Sequence, residues 1–328
     1  MARKIRLAMF RVDNHLYHYL PVLAKLDMLR LREISPECHA WFTDCYRPLE
    51  VIPKVATGFE VTKICDYNPA CAREATSVFA KRPEVVEDPR DLARDVDAVF
   101  IANCGDDGSD HLKLSEPLIR KRIPTFIDKP FALATKDAVE MVRLARRYQT
   151  PIYSSSLLSI AEQPEILRRQ FQRIGGVSAG VVTGAPGWRT DSGQEGVIHG
   201  VSLVQAVFGC GVASVYCHGD HPGHYAAIVF ESGLQVSMHL APGIAGYTVE
   251  VFGNNRDPNP GYLSSGMIGN IDFSVGASVI AHRFKRMIQT GKPPRDYEEM
   301  IENIAVCEAL RKSRKLGRKV KIREVWKK

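Results

Sequence analysis

Signals of export and of membrane insertion are missing from this 328-residue sequence. No apolar segment follows a basic amino terminus, and the longest apolar runs, such as residues 98–102 and 225–230, fall far short of the roughly 20 residues that span a bilayer. The eight cysteines form no C-x-x-C pair and no disulfide framework. We therefore expect a cytoplasmic protein with reduced thiols and without membrane contact.

A strong excess of one charge is also missing. The net charge of +7 comes from 44 basic and 37 acidic side chains, and much of the excess lies near the end of the chain, at Arg311, Lys312, Arg314, Lys315, Arg318, Lys319, Lys321 and Arg323. This cluster has no interleaved aromatic residues, so we interpret it as a solvated helix end rather than a nucleic-acid site. A positive balance suits an anionic cofactor or substrate.

Internal repeats and low-complexity linkers are absent as well. The length predicts two domains, at about 150 residues for each. Hydrophobic residues make up 45% and charged residues 25% of the sequence, which are ordinary values for a globular protein. These values exclude a mostly disordered or fibrous chain.

The first half alternates between apolar strands and amphipathic helices. We predict strands at residues 4–10, 59–66, 96–102, 124–128 and 151–154 and helices at residues 15–31, 70–80, 110–121 and 135–148. Such βαβ units require a parallel sheet with helices on both faces. Residues 1–155 are thus predicted to form a Rossmann-type doubly wound domain, with residues 34–58 as an insertion.

The second half changes to closely spaced strands with glycine turns. Strands are predicted at residues 180–184, 213–218, 225–231, 234–240 and 247–253, with a hairpin turn at 230–234. Only two helices, at 163–174 and 197–208, are predicted among these strands, followed by a long one at 297–315. We expect residues 156–328 to form an α+β domain with a largely antiparallel sheet, and helix 297–315 to pack back on the first domain.

Polar residues follow four predicted strands of the first half. Ligands of an open parallel sheet bind beyond the carboxyl ends of its strands, so these residues are the candidate ligand contacts: Arg11, Val12 and Asp13; Asp66; Asn103 and His111; Asp128 and Lys129. Two interpretations of Asp66 stay open, because its carboxylate suits either a ribose hydroxyl or the cap of the next helix.

Three segments resemble one enzyme family. The run DAVFIA at 97–102, His111, and PTFIDKPFA at 124–132 look like the Gfo/Idh/MocA oxidoreductases, whose hallmark is a Glu-Lys-Pro turn at the place of residues 128–130. The resemblance implies a Rossmann-type domain, an antiparallel substrate domain and a homodimer or homotetramer. It also implies hydride transfer between NAD, or NADP, and a sugar-like or polyol substrate. Arg11, Val12, Asp13, Asp66, Asn103, His111 and Asp128 would bind the cofactor.

The same resemblance implies the catalytic residues. Lys129 matches the family lysine near the nicotinamide, while Glu195 and His199 match the acid and the histidine of its Asp-x-Gly-x-His motif. An i,i+4 spacing on a helix would let Glu195 orient the imidazole. His199 would then accept the hydroxyl proton, and Lys129 would stabilise the alkoxide or tune His199.

The sequence departs from the family at the first turn. Residues 10–15 read FRVDNH where G-x-G-x-x-G would stand, and the carboxylate of Asp13 would repel phosphate. These departures suggest the alternative of a binding or regulatory protein that has lost standard dinucleotide binding. A third possibility is a lyase or hydrolase that holds the cofactor as a transient oxidant. An acid after the second strand, with no adjacent arginine, favours NAD over NADP.

A histidine cluster and an aromatic group complete the candidates. His218, His221 and His224 lie within seven residues, but their spacing matches no standard zinc motif, so we predict no metal site. Trp188 with Arg189, and Tyr225, are candidates for lining a sugar cleft, and core packing explains the tryptophan equally well.

Overall fold

A computed structural model describes residues 3–43, 54–103, 107–186, 194–220, 223–244, 246–255 and 261–327. Its first sheet has six strands in the order β3-β2-β1-β4-β5-β6, and every neighbouring pair is parallel. These strands are β1 (Ile5–Phe10), β2 (Phe59–Cys65), β3 (Glu84–Val86), β4 (Ala98–Ile101), β5 (Thr125–Ile127) and β6 (Ile152–Tyr153). This order is that of a Rossmann fold, as predicted.

The helices that connect these strands differ from the prediction near the amino terminus. The predicted helix at 15–31 is wrong: the chain forms α1 (Asn14–Leu23) and α2 (Met28–Ile34). The backbone is extended at Ala24, and the carboxylate of Asp27 then accepts the N–H groups of Leu29 and Arg30, so a new helix starts. Periodicity alone did not separate the two segments.

The remaining helices of this half follow the prediction more closely. They are α4 (Pro69–Thr76), α5 (His111–Arg120) and α6 (Thr135–Tyr148), while α3 (Pro36–Thr43) was not predicted as a helix. The predicted insertion at 34–58 contains α3, and its residues 44–53 lie outside the described part of the chain.

The second sheet has seven strands in the order β12-β11-β7-β10-β9-β8-β13. They are β7 (Val177–Gly184), β8 (Val212–His218), β9 (Tyr225–Phe230), β10 (Gln235–Leu240), β11 (Thr248–Gly253), β12 (Tyr262–Ser264) and β13 (Val320–Lys321). The pairing is antiparallel except between β7 and β10, which are parallel. The mostly antiparallel sheet and the hairpin between β9 and β10 agree with the prediction.

The second half of the chain contains three predicted helices and a fourth that was not predicted. The predicted ones are α7 (Glu162–Arg169), α8 (Gln194–Phe208) and α10 (Tyr297–Leu316); the unpredicted one is α9 (Asn270–Thr290). The expectation of only two helices among the strands was therefore wrong. Many residues of α9 are small, including Gly276, where a Cβ would collide with the carbonyl oxygen of Leu157.

The helix α9 packs on the first sheet, although it comes from the second half of the chain. Its side chains share one hydrophobic core with strands β1, β4 and β5 and with α1; the α9 members are Ala277, Ile280, Ala281, Phe284 and Met287. The ring of Phe284 lies 5.5 Å from that of Phe100 and 6.2 Å from that of Phe126. One face of the Rossmann sheet is thus covered partly by a distant segment.

The helix α10 lies between the two halves. It contacts α6 on one side and β8 on the other. Its Glu308 accepts hydrogen bonds from the backbone N–H and the hydroxyl of Thr135, at 2.6 and 2.7 Å, and so caps the start of α6. None of the described helices is long and apolar enough to cross a membrane.

Candidate functional site

Buried polar side chains follow the carboxyl ends of β4 and β5. Asn103, His111, Asp128 and Lys129 are each at most 5% exposed. Burying a polar group costs free energy unless the group has a hydrogen-bond partner. The partners of these side chains therefore indicate the role of this edge of the sheet. The sequence singled out all four.

Asp128 is the most enclosed of these groups, with no exposed surface. One of its oxygens accepts the backbone N–H of Lys129 at 2.8 Å and the hydroxyl of Tyr19 at 3.4 Å, while the other contacts Nδ1 of His15. Burial raises the pKa of Asp128 to about 6, against the lowering effects of Lys129 and His111. Asp128 therefore ties the turn before Lys129 to the first turn of α1.

Lys129 reaches a small cavity at the junction of the two halves. The cavity measures about 10 Å³, enough for one water molecule, and is lined by Ser154, Ser155, Ser156, Ser202 and Asn303 together with apolar groups and Arg295. Hydroxyl and amide groups thus surround the lysine.

His199 approaches the same segment from the second half. Its Nδ1 is hydrogen-bonded to the hydroxyl of Ser156 at 2.7 Å, and its ring lies edge-on to Tyr247 at 5.9 Å. Because Ser156 also lines the cavity of Lys129, the segment after β6 links the two candidate catalytic residues.

Glu195 lies one helical turn before His199. The helix α8 begins at Gln194, so the backbone has the i,i+4 relation that the sequence predicts. The side chain of Glu195 lies outside the described atoms, and its orienting role stays a prediction.

The first turn keeps a glycine-like backbone without glycine. Arg11 has φ of +68°, a left-handed conformation that glycine adopts more readily. The N–H of Val12 donates to Asp66 at 2.7 Å. Asp13 caps α1, since its carboxylate accepts the N–H of His15 at 2.8 Å. Backbone donors that would face a pyrophosphate in a glycine-rich turn are therefore engaged by carboxylates.

The position of Asp66 shows whether this residue caps the helix α4. The cap of α4 is Asn68, whose side chain accepts the N–H of Ala70 at 3.1 Å, so Asp66 is not the capping residue. Asp66 instead bridges the N–H groups of Val12 and Asn68. Its carboxylate also lies 3.7 Å from Nε of Arg11, which stacks over the ring of Tyr67.

Asn103 and His111 flank the loop before α5. The amide of Asn103 donates to Asp110 at 3.2 Å, and Asp110 lies 3.4 Å from the guanidinium of Arg11. His111 donates from Nδ1 to the carbonyl of Phe131 at 3.3 Å. Its Nε2 is buried and has no hydrogen-bond partner among the described residues.

Three residues of this site were given no role from the sequence: His15, at the end of the candidate segment 11–15, Tyr19 and Ser156. His15 carried a signal, because an ionisable side chain in the turn after the first strand lies at the ligand edge of the sheet. Tyr19 and Ser156 carried none, since their roles depend on contacts with Asp128 and His199 that are distant in sequence.

The other candidates lie elsewhere or beyond the described residues. Trp188, Arg189 and His221 fall in segments that the structure does not describe. His218 is exposed at the end of β8, and His224 stacks on Tyr225 with ring centres 4.6 Å apart. Within the described ranges, no group of three or more His, Cys, Asp and Glu side chains is arranged to hold a metal ion.

Comparison with known families agrees with this architecture. Residues 46–155 match the model of the Gfo/Idh/MocA oxidoreductase family, which is described as having an NAD-binding Rossmann fold. The matched region includes β2, β4, β5 and Lys129 but starts after the first turn. None of the curated proteins matches the sequence.

Solved structures resemble the chain over almost its full length. Scyllo-inositol dehydrogenase from Lactobacillus casei, with bound NAD(H) and scyllo-inositol, has a TM-score of 0.71 at 13% identity, over 98% of this chain and 99% of that one. Myo-inositol 2-dehydrogenase from Lactobacillus plantarum has a TM-score of 0.73 at 14% identity, over 97% and 99%. An oxidoreductase from Agrobacterium radiobacter, in complex with NAD+, L-tartaric acid and magnesium, has a TM-score of 0.70 at 18% identity, over 98% and 100%.

The strand-end site lies in the part of the chain that is similar to an NAD-binding Rossmann fold. Residues 46–155 are similar to the Gfo/Idh/MocA oxidoreductase family, and over almost its full length the chain has the fold of the inositol dehydrogenases. The resemblance seen in the sequence is thereby confirmed.

The family's dinucleotide can be tested against these residues. The carboxylate of Asp66, buried at the end of β2, fits a ribose hydroxyl. Arg11 has the left-handed backbone of a glycine-rich turn, and its guanidinium suits a phosphate. Nε2 of His111, which has no hydrogen-bond partner in the described part of the chain, is a further polar atom at this edge. The ligand edge of the sheet therefore fits the dinucleotide, except at Asp13, whose carboxylate accepts the N–H of His15 at the start of α1.

Proposed function

We propose that this protein is an NAD-dependent oxidoreductase that transfers a hydride between the nicotinamide and a CH–OH group of a sugar-like or polyol substrate. The observation that carries the proposal is the meeting of Lys129 and His199 at the segment 154–156, between the two halves. Inositol and tartaric acid, bound by structurally similar proteins, are both polyhydroxylated. The proposed substrate belongs to that class.

The proposed roles follow from the charges of these groups. Lys129 is a buried cation, so its attraction for a developing alkoxide is screened less than it would be in water. His199 is the proton acceptor that the resemblance implies, with Glu195 orienting it. Asp66, Arg11, Val12, Asn103, His111 and Asp128 form the edge that would hold the cofactor, which supplies hydride transfer when bound.

The preference for NAD rests on Asp66. A carboxylate at this place accepts the ribose hydroxyls of NAD, whereas an arginine accommodates the extra phosphate of NADP. Nε of Arg11 lies 3.7 Å from the carboxylate of Asp66, so a group that suits NAD and a group that suits NADP are both present. The carboxylate is the more buried of the two. We expect tighter binding of NADH than of NADPH.

The test measures nucleotide binding and the rate of substrate oxidation. NADH and NADPH are titrated by fluorescence, and oxidation of inositols, other polyols and hydroxy acids is followed by absorbance of the reduced nicotinamide. We expect Lys129→Met to lower kcat/KM by about 100-fold or more, on the scale of losing one preorganised charge. Lys136→Met, an exposed lysine at the start of α6, is the matched control and should have little effect.

Failure of both nucleotides to bind would overturn the proposed function. Equal activity of Lys129→Met and the wild type would remove Lys129 from the mechanism. A second candidate function would then gain support: a binding or regulatory protein, which the carboxylate of Asp13 on the start of α1 favours.

We also propose a cytoplasmic homodimer or homotetramer that pairs through the open face of the second sheet. Tyr216 on β8, Tyr225 on β9 and Tyr262 on β12 are each more than 40% exposed. Large aromatic groups exposed on one sheet are frequent at interfaces. Light scattering after size exclusion tests the state, and a monomer would contradict it.

A further inference from the structure

A cavity of about 400 Å³ lies at the edge of the second sheet, where β13 is the last strand in the order. This volume is within the range of small-molecule pockets. The walls come from the start of β8, the residue after β9, the first half of α10 and the segment that includes β13 and Trp326. No residue that lines this cavity also lines the cavity of Lys129, so the proposed oxidoreductase function does not account for it.

The strand β8 is irregular where it lines this cavity. Its register against β9 shifts between Val212 and Ser214, which is the mark of a β-bulge. A bulge bends its strand and redirects side chains, and bulges are frequent at sheet edges and beside binding sites. Val212, Ile322 and Trp326 are each at most 7% exposed and give the cavity an apolar wall.

Two carboxylates belong to one end of the cavity. Glu302 is 5% exposed, and its Oε1 accepts the N–H groups of Gly211 at 2.6 Å and of Val212 at 3.0 Å. Its other oxygen has no hydrogen-bond partner in the described part of the chain. The N–H of Glu231 donates to the carbonyl of Gly211 at 2.8 Å, so this second acid lies beside the same residue.

A structural role explains the position of Glu302 but not its charge. The carbonyl of a glutamine would accept the same two N–H groups, and burying a carboxylate costs more free energy than burying an amide. A cation against the second oxygen would offset that cost. The indole of Trp326 lines the same cavity, and an aromatic ring face also attracts cations. This end of the cavity therefore suits an ammonium group.

Two cations lie further along the same strand. Lys321 of β13 pairs with Ser214 of β8, which is three residues from Gly211 and thus roughly 10 Å or less along the strand. Arg323 follows two residues later, and both cations line the cavity. Neither forms an ion pair within the described residues, and the neighbouring acid, Glu324, pairs with other cations. This end of the cavity suits a carboxylate.

We propose that this cavity binds a small zwitterion, either an amino acid or a short peptide. Its ammonium group lies against Glu302 and Glu231, its carboxylate lies against Lys321 and Arg323, and its apolar side chain packs on Trp326. The cavity offers charges of both signs at separate ends, so a ligand with only one charge leaves half of these groups unpaired. The proposal does not depend on the oxidoreductase function.

Fluorescence and calorimetry test the site with four probes. L-phenylalanine and L-phenylalanylglycine carry both charges, phenethylamine lacks the carboxylate, and hydrocinnamate lacks the ammonium group. We expect at least one of the two zwitterions to bind with a dissociation constant below about 1 mM, and both singly charged probes to bind about tenfold or more weakly. The change in intrinsic fluorescence should be lost in Trp326→Phe, while calorimetry still detects binding.

Charge-removing variants test each end of the cavity. Glu302→Gln, Glu231→Gln and Arg323→Gln should each weaken binding of the zwitterion by about tenfold. Glu302→Gln keeps an acceptor for the two backbone N–H groups. Glu231 and Arg323 are exposed, so their variants keep the test valid if Glu302→Gln is less stable. Glu87→Gln and Lys136→Gln, at exposed positions of the first half, are the matched controls and should bind within about twofold of wild type.

Three results would overturn the proposal. The first is the absence of both heat and fluorescence change for the two zwitterions at concentrations up to about 10 mM. The second is binding of phenethylamine or hydrocinnamate as tight as that of the zwitterions, which would show that one charged end is not used. The third is unchanged zwitterion binding in both Glu231→Gln and Glu302→Gln.

Discussion

At the scale of single residues, the first turn brings together groups that oppose and favour a dinucleotide. Asp13 lies in the turn where a glycine-rich motif would stand, and its carboxylate accepts the N–H of His15 at the positive end of α1, where a pyrophosphate would bind. Arg11 keeps the left-handed backbone and adds a cation. The balance between these two charges decides how tightly this edge binds phosphate.

Removing the charge of Asp13 should strengthen binding of NADH. Asp13→Asn keeps a cap acceptor for the N–H of His15, so the helix start is preserved while the repulsion is lost. We expect a dissociation constant about fivefold lower, which corresponds to roughly 1 kcal/mol. Fluorescence titration at low and high salt measures it. The control Asp27→Asn changes the cap of α2, away from the site, and should have no effect; weaker binding by Asp13→Asn would show that the carboxylate is a ligand.

At the scale of secondary-structure elements, α10 supplies the hydrogen-bond acceptor that the start of α6 lacks. Ala134 stands at the cap position of α6 and offers no side-chain acceptor, so Glu308 of α10 accepts the N–H of Thr135 from another part of the chain. The helix that follows the Lys129 turn is thus fixed by the carboxyl-terminal segment.

Glu308→Ala should destabilise the protein by about 1–2 kcal/mol, because it removes a charged cap and leaves a partly buried N–H group without its acceptor. Chemical denaturation measures the change in the free energy of unfolding. The control Glu298→Ala removes a carboxylate of the same helix that pairs with Arg146 at the surface, and should cost roughly 0.5 kcal/mol or less. Equal losses in the two variants would contradict the capping role.

At the scale of the whole molecule, the two halves share a core. Phe284 belongs to α9, in the second half, yet it is fully buried beside Phe100 and Phe126 of the first sheet. Since each half completes the other's burial, we expect cooperative unfolding in a single transition.

Phe284→Ala should lower the free energy of unfolding by about 3–5 kcal/mol, the usual cost of emptying a large aromatic site in a core. Hydrogen exchange should also speed up in β1 and β4, far from residue 284 in sequence. Met267→Ala, at a side chain that is 71% exposed, is the control and should be nearly neutral. Unchanged protection of β1 and β4 would show that the first half is stable without α9.

The sequence by itself determined the parallel first sheet, the mostly antiparallel second sheet and the strand-end positions of Asp66, Asp128 and Lys129. These follow from local information, since apolar periodicity and turn residues are read within a few neighbours. The helix break after Leu23 and the whole of α9 were missed, because the first depends on the cap by Asp27 and the second on small residues that match a distant surface.

Only the tertiary structure decided which polar groups meet. His15 and Asp128 are 113 residues apart in sequence, and Ser156 and His199 are 43 apart. Their contacts depend on how α1 lies over the strand ends and how α8 approaches the segment after β6. Side chains distant in sequence carry no local pattern that pairs them, and only the packing of the surrounding cores brings them within hydrogen-bond distance.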